Sequence, residues 1–164
     1  MFQLHRVLSA LTLALFLPAI AIADDEQEVR NYVLTDAGLA KYSQAARQLA
    51  VMDAGQTGAC EESEDGDDAQ SISDVVAKMD RHPAAKNTIT STGMTTREYV
   101  LFSFALLQTG LAVWGADQSG GQAQGVSAAN VAFYKRNEAN LKKLETVTQP
   151  PSCEEEEDDG ETGE

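Results

Sequence analysis

One uncharged stretch, residues 99–114, limits the folds open to this chain more than any other feature of the sequence. Its large apolar residues are Tyr99, Val100, Leu101, Phe102, Phe104, Leu106, Leu107, Leu111, Val113 and Trp114. Thr95 and Glu98 stand before it at capping-box spacing, in which each side chain bonds the other residue's free backbone N–H, so a helix is predicted over residues 96–114. This segment is slightly shorter than the roughly 20 residues that span a bilayer, and polar residues interrupt it. We therefore predict a buried helix at the centre of a bundle, with Trp114 in the core.

Four further segments carry apolar residues at the three- and four-residue steps that mark helices. Their predicted starting signals are Thr35, Ser71, Pro83 and Ser127, of which the threonine and the two serines are N-caps and the proline a first helical residue. Their predicted ends lie near Asp53, before His82-Pro83, near Ser91 and near Thr146. The sequence thus predicts an all-α fold, a small five-helix bundle around the apolar helix, in one domain over residues 36–149.

The first 23 residues have the three parts of a secretory signal peptide. His5 and Arg6 precede the apolar residues 7–17, and Ala21-Ile22-Ala23 supplies a small-residue cleavage site. Residues 1–23 are therefore predicted to be removed on export to the periplasm or the medium, and the sequence does not choose between these two. Residues 24–35 are predicted to form an acidic and then extended lead into the domain, with no membrane span in the mature chain.

The negative charge of the protein is concentrated in two short segments. Of 26 acidic residues, six lie in residues 61–68 and eight in residues 154–164, and neither segment contains a base. Twelve acidic residues then remain against 11 basic ones in the rest of the mature chain. Acidic segments repel phosphates, so nucleic acids and anionic membranes are not expected partners, whereas a basic envelope protein or a divalent cation is.

Oxygen ligands around a central glycine in residues 61–68 suit calcium. The candidate ligands are Glu61, Glu62, Glu64, Asp65, Asp67 and Asp68. The segment does not match the EF-hand pattern, which requires alternating ligands and a closing glutamate, and a solvated acidic loop is the alternative. Residues 150–164, which begin at Pro150-Pro151, are predicted to be a disordered acidic tail.

The mature chain has two cysteines, Cys60 and Cys153, which in an exported protein predict a disulfide. If five helices alternate in direction, the first and the last end on the same side of the bundle. Each cysteine follows one of these two helices by about seven residues, a spacer long enough for the sulfurs to meet. The bridge would bring both acidic segments to one end of the molecule. Free thiols and an intermolecular bridge are the alternatives.

The sequence contains little that is typical of an enzyme. His82 is the single histidine of the mature chain, and its place before Pro83 favours a surface or capping role. Neither a phosphate-binding glycine loop nor a Gly-x-Ser-x-Gly or Cys-x-x-Cys motif is present, and no cofactor is expected. A hydrolase would depend on buried carboxylates, and would place Glu98 or Asp80 in a deep pocket with a raised pKa.

Three stretches carry a resemblance to a known group of proteins. They are Tyr32-Val33-Leu34-Thr35, Gly93-Met94-Thr95-Thr96-Arg97-Glu98-Tyr99 and Gly125-Val126-Ser127-Ala128-Ala129-Asn130-Val131. Together they are similar to small exported helical bacterial proteins of unknown function, over residues 30–145 without the acidic segments. The resemblance implies a helical fold in the bacterial envelope, and it implies no activity or ligand.

These observations leave three hypotheses for function. The leading one is a non-enzymatic helical interaction protein of the bacterial envelope, with the acidic end as its contact surface. The second is a calcium- or cation-responsive module that uses residues 61–68. The third is the carboxylate-dependent hydrolase.

Overall fold

The computed structural model describes residues 19–54 and 71–148, and the environment of side chains in residues 25–52 and 71–148. The described residues form six α-helices and no strand, which confirms an all-helical bundle. The helices are α1 (Ala19–Asn31), α2 (Asp36–Ala54), α3 (Ile72–Asp80), α4 (Pro83–Ser91), α5 (Thr96–Ser119) and α6 (Ala128–Thr148). The described residues contain one helix more than the predicted five because most of the predicted extended lead is helical.

Side-chain caps fix the starts of four helices, as predicted. The backbone N–H of Gly38 donates to Thr35 Oγ1 at 3.0 Å, that of Asp74 to Ser71 Oγ at 3.0 Å, and that of Asn130 to Ser127 Oγ at 3.1 Å. At α5 the capping box is complete, since Thr95 N–H also donates to Glu98 Oε2 at 2.7 Å. Each cap satisfies backbone donors that the first turn of a helix leaves free.

Phe102 of α5 lies at the centre of the core and is fully buried. Its ring stacks on Tyr42 of α2, with centroids 4.9 Å apart, and meets Tyr32 and Phe133 edge-on. Ile89 of α4 is buried in the same cluster. One aromatic residue therefore joins α2, α5, α6 and the segment after α1, and such pairs add to the free energy gained by burial alone.

The extended residues after α1 are held to α6 by one buried side chain. Asn130, which is 2% exposed, donates from Nδ2 to the Tyr32 carbonyl at 2.9 Å and accepts from Leu34 N–H at 3.0 Å. Backbone groups in an extended segment between helices have no helical hydrogen-bond partners, and the Asn130 amide supplies partners for two of them. Helix α1 itself begins at Ala19, so it continues across the cleavage point predicted after residue 23.

Helices α2 and α6 run side by side in the same direction. Asp36, at the start of α2, accepts hydrogen bonds from Arg136 and from Asn137, which lie near the middle of α6. Towards their ends, Val51 of α2 and Val147 of α6 line one open groove. The chain therefore leaves both helices at the same end of the bundle.

Helix α5 is longer than the sequence indicated, because it continues through Gly115 to Ser119. It ends at Gly120, whose φ of 66° is left-handed and whose N–H bonds the Ala116 carbonyl. Glycine adopts this conformation without the steric cost that a side chain brings, which makes it a common residue after a helix. At 24 residues and 1.5 Å per residue the helix is about 36 Å long.

Candidate functional site

The solvent-facing side of α5 carries four large apolar side chains in a row. Their exposed fractions are 39% for Phe104, 58% for Leu107, 60% for Leu111 and 65% for Trp114. The steps between them are three, four and three residues, so all four lie on one face of the helix. We call this set of four residues the α5 apolar face.

The α5 apolar face corrects the prediction that this helix is buried all round. Trp114 does not fill the core, and neither does Phe104, Leu107 or Leu111. On the opposite side of α5, Phe102, Ala105, Thr109 and Val113 are buried. An apolar sequence pattern predicts that a helix is buried, but it does not show which neighbours will cover each side.

The length of α3 explains where the α5 apolar face begins. Val100 lies on the same side of α5 as Leu107, yet it is 3% exposed because Ile72, Val75 and Val76 of α3 pack over it. Helix α3 has nine residues and α5 has 24, so at 1.5 Å per residue α3 can cover at most about 14 Å of the roughly 36 Å length of α5. The side that α3 covers at the start of α5 is open from Phe104 onward.

Ion pairs and hydrogen bonds hold the covered end of α5 in place. Arg97 bonds the carboxylate of Glu28 on α1, and Thr96 donates to Asp80 of α3 at 2.7 Å. Asp25 of α1 accepts from the Ile72 N–H at 2.8 Å and so fixes the start of α3. These polar contacts position the three helices around the first turns of α5.

The α5 apolar face itself lies in a stretch without charge, since residues 99–116 contain no acidic or basic residue. Beyond it, Asp117 lies 4.0 Å from Lys135 of α6. Gly115 stands beside the row, and a methyl group added there would meet no atom within 4 Å. The surface is thus a smooth, uncharged helix face with open space beside Leu111 and Trp114.

Single exposed leucines are ordinary on a protein surface, whereas four apolar side chains in one row form a contiguous patch. The largest apolar patch of a monomeric protein, commonly about 300–600 Å², is often a contact site for proteins, membranes or ligands. By length and composition α5 is also the one helix among the described residues that is able to cross a bilayer, but its opposite side forms the protein core. The geometry therefore presents an apolar contact surface on a helix that is anchored along its other side.

The carboxylates that a hydrolase would need are engaged in structural contacts. The hydrogen bond from the Thr95 backbone lowers the pKa of Glu98, and the hydrogen bond from Thr96 lowers the pKa of Asp80, with Lys86 adding to the effect. Both directions are opposite to the raised pKa of a buried general acid. Exposed His82 is the N-cap residue of α4, and its side chain makes no capping hydrogen bond.

An open groove at the shared end of α2 and α6 combines apolar and basic side chains. Its lining residues are Arg47, Val51, Lys143, Thr146 and Val147. Neither Glu98 nor Asp80 lines it. The groove is shallow and exposed, without the enclosed walls that catalytic pockets use to exclude water.

The predicted disulfide and cation ligands lie outside the described residues. These are Cys60, Cys153, Glu61, Glu62, Glu64, Asp65, Asp67 and Asp68. Among residues 25–52 and 71–148, no cluster of three or more histidine, aspartate or glutamate side chains is arranged to hold a metal ion. The predicted disulfide and cation ligands therefore stay predictions, and the described structure adds the α5 apolar face, which the sequence did not single out.

The signal for this surface is present in the sequence once the core side of α5 is known. Phe104, Leu107, Leu111 and Trp114 share one helical face, opposite Phe102, in a stretch that is apolar on every side. The chain matches no protein-family model, no curated protein and no solved structure.

Proposed function

We propose that this protein is an exported, non-enzymatic helical interaction protein that binds an apolar helical surface of a protein partner through the α5 apolar face. The observation that carries the proposal is the row Phe104, Leu107, Leu111 and Trp114, exposed on one side of a helix whose other side is core. A rigid apolar helix face suits packing against another helix, with side chains of each filling gaps in the other.

The state of the polar residues supports a binding role over a catalytic one. Glu98 is held in the capping box and Asp80 bonds both Thr96 and Lys86, so each has a structural task. Lowered pKa values keep both groups ionised at neutral pH, where a general acid must hold a proton.

The signal-peptide pattern of residues 1–23 places this role in the bacterial envelope or the medium. It also fits the similarity of residues 30–145 to small exported helical bacterial proteins, and we propose membership of that group. An exposed apolar face is a liability in free solution, because it promotes association, so a protein that carries one after export requires an occupant for it.

The two acidic segments form a second surface in this proposal, one that attracts a basic envelope protein. Helices α2 and α6 run in the same direction and contribute Val51 and Val147 to one groove. This arrangement supports the proposal that the two acidic segments begin at the same end of the bundle. The same arrangement supports the disulfide between Cys60 and Cys153. Deleting residues 154–164 and measuring binding of basic envelope proteins tests this surface, and unchanged binding would remove it.

Site-specific photo-crosslinking in living cells tests the α5 apolar face. A photoreactive phenylalanine analogue replaces Leu111, and the control carries it at Val33, which is 60% exposed but lies in the extended segment after α1. We expect a discrete protein adduct at position 111 that position 33 does not give. Equal or absent adducts at both positions would contradict the proposal, because both residues are accessible and only one lies on the proposed contact surface.

A further inference from the structure

The α5 apolar face has a symmetry that identifies its partner. Along the helix it reads aromatic, leucine, leucine, aromatic, at steps of three, four and three residues. Both the residue types and the spacing are the same in either direction. We propose that the occupant is a second copy of this chain, whose α5 packs antiparallel on the first to form a two-fold symmetric dimer; this rests on the proposed function and names the partner of that surface.

Two-fold symmetry requires a patch that is complementary to itself, and the antiparallel register supplies it. Leu107 lies opposite Leu111 of the second copy, and Phe104 lies opposite its Trp114. The pairing extends no further than these four layers, because α3 covers Val100 and the last turn of the facing helix must pass beside α3. Steps of three and four residues are those of a coiled-coil seam, in which antiparallel helices pair these positions in layers. The two outer layers join aromatic rings and the two inner layers join leucines.

The distribution of charge permits this contact in a chain with a formal net charge of −14. Residues 99–116 carry no charge, so pairing two copies of this stretch brings no like charges into contact. Asp117 lies 4.0 Å from Lys135 within its own chain. In the antiparallel register the two copies of Asp117 stand about 24 Å apart along the seam, several times the screening length of about 8 Å at physiological salt.

The area of the surface is smaller than that of a stable dimer interface. Four side chains exposed by 39–65% offer on the order of 400 Å² of apolar surface per copy. A stable interface buries about 800 Å² per partner, so this one falls in the weak class. We expect reversible association, with a Kd on the order of 1–100 µM.

The experiment uses the full exported chain, purified after natural processing, over a dilution series from about 1 to 300 µM that brackets this range. Sedimentation equilibrium gives the mass, and the emission of Trp114, the single tryptophan of the chain, gives its burial. We expect the mass to double and the emission to shift to shorter wavelength with a common midpoint. Because Trp114 lies in the seam, the two signals report one event.

Three variants define the seam. Leu111→Glu should weaken association at least about tenfold, since two carboxylates would be buried without partners, while Val51→Glu, an equally drastic change on the exposed side of α2, should leave it unchanged. The double variant Leu107→Lys/Leu111→Glu places opposite charges across the antiparallel seam and should restore much of the affinity that Leu111→Glu loses. In a parallel dimer the same pair places like charges together. Far-UV circular dichroism confirms that each variant is folded.

Each outcome bears on the proposal. Association that survives Leu111→Glu places the contact elsewhere and overturns it, and failure of the double variant to recover overturns the antiparallel register. A chain that stays monomeric, yet whose Trp114 emission shifts on phosphatidylglycerol vesicles, assigns the face to a membrane. If the chain is monomeric while position 111 crosslinks a different protein in cells, the dimer is wrong and the proposed function stands. If neither association nor crosslinking occurs, both are wrong.

Discussion

The two halves of α5 belong to one helix that carries no charge over residues 99–116, and they differ in how much of the helix is covered. In the first half, Val100, Leu101 and Phe102 are buried beneath α1, α2 and α3, with Phe102 fully enclosed by aromatic rings. In the second half, Leu107, Leu111 and Trp114 are each more than half exposed. Hydrophobicity does not separate the halves, since both contain leucine, valine and aromatic residues.

What separates them is the length of the neighbouring helices. Helix α3 has nine residues and lies over the start of α5, with Ile72 against Val100, so it ends before it can reach Leu107. Among the described residues, the row Leu107, Leu111 and Trp114 is left more than half exposed. Burial of apolar surface stabilises by about 25 cal/mol per Å², so an occupant that covers this row would gain free energy.

The largest difference in stability should be that between truncating a buried residue of the first half and truncating an exposed residue of the second half. Phe102→Ala should lower the free energy of unfolding by about 3–5 kcal/mol, because it leaves a cavity among Tyr32, Tyr42 and Phe133. Leu111→Ala should change it by less than about 0.5 kcal/mol in the monomer, since the side chain is already largely hydrated. Urea unfolding followed by circular dichroism at about 1 µM protein, at the dilute end of the expected range, measures both. Similar losses for the two variants would show that the second half is covered within the monomer.

The next largest effect should come from the hydrogen bonds that hold the extended residues after α1 to α6. Asn130→Ala should cost about 1–3 kcal/mol, because the Tyr32 carbonyl and the Leu34 N–H lose the amide that satisfies them. Asn140→Ala, an exposed change on the same helix, is the matched control and should be nearly neutral. Equal stability of the two variants in urea would mean that water replaces the Asn130 side chain without loss.

A pair of glycine substitutions should give effects of opposite sign. A methyl group at Gly38 would lie 2.8 Å from Phe102 Cε2, so Gly38→Ala should destabilise by about 1–2 kcal/mol after its gain in helix propensity is counted. At Gly115 the methyl group meets no atom within 4 Å, and Gly115→Ala should stabilise by about 0.5–1 kcal/mol. Thermal unfolding measures both. A loss of stability from Gly115→Ala would contradict an open second half.

The smallest effect should be the dependence of stability on pH at the covered end. Hydrogen bonds from Thr96 and from Asn137 lower the pKa values of Asp80 and Asp36 respectively, and lowered folded-state pKa values stabilise the protein above the unfolded pKa near 4. That contribution is lost as pH falls through the folded values. Asp80→Asn should therefore reduce stability at pH 7 more than at pH 3. Melting temperatures measured from pH 7 to pH 3 test this, and a constant difference between variant and wild type would exclude the linkage.

Local features of the fold were predictable because they depend on a few neighbouring residues. The caps at Thr35, Ser71, Thr95 and Ser127 each require one hydroxyl and the next backbone N–H groups, and all four are present. The helical content of residues 24–31 was missed because its acidic, weakly amphipathic sequence has no clear periodicity, and Val29 becomes a packing residue only when α5 is beside it. The predicted end of α5 at residue 114 is earlier than the observed end at Ser119, because the glycine at position 115 disfavours a helix but, as a single residue, costs only about 1 kcal/mol.

The candidate site was less predictable than the fold. The sequence drew attention to charge, at residues 61–68 and 154–164, and to Cys60 and Cys153, all of which lie outside the described residues. It also assigned Trp114 to the core. A tryptophan in an apolar stretch is ordinarily buried, and nothing within residues 99–114 shows that the covering helix is too short.

The sequence by itself determined five of the six described helices, where most of them begin, and that one of them is apolar nearly all round. Only the tertiary structure decided that α5 is covered along one side and, on the other, for just its first turns. The reason is that capping and periodicity act over three or four residues, whereas burial depends on the lengths and directions of helices that are distant in the chain. The row from Phe104 to Trp114 is exposed because its burial depends on those distant helices and not on its own sequence.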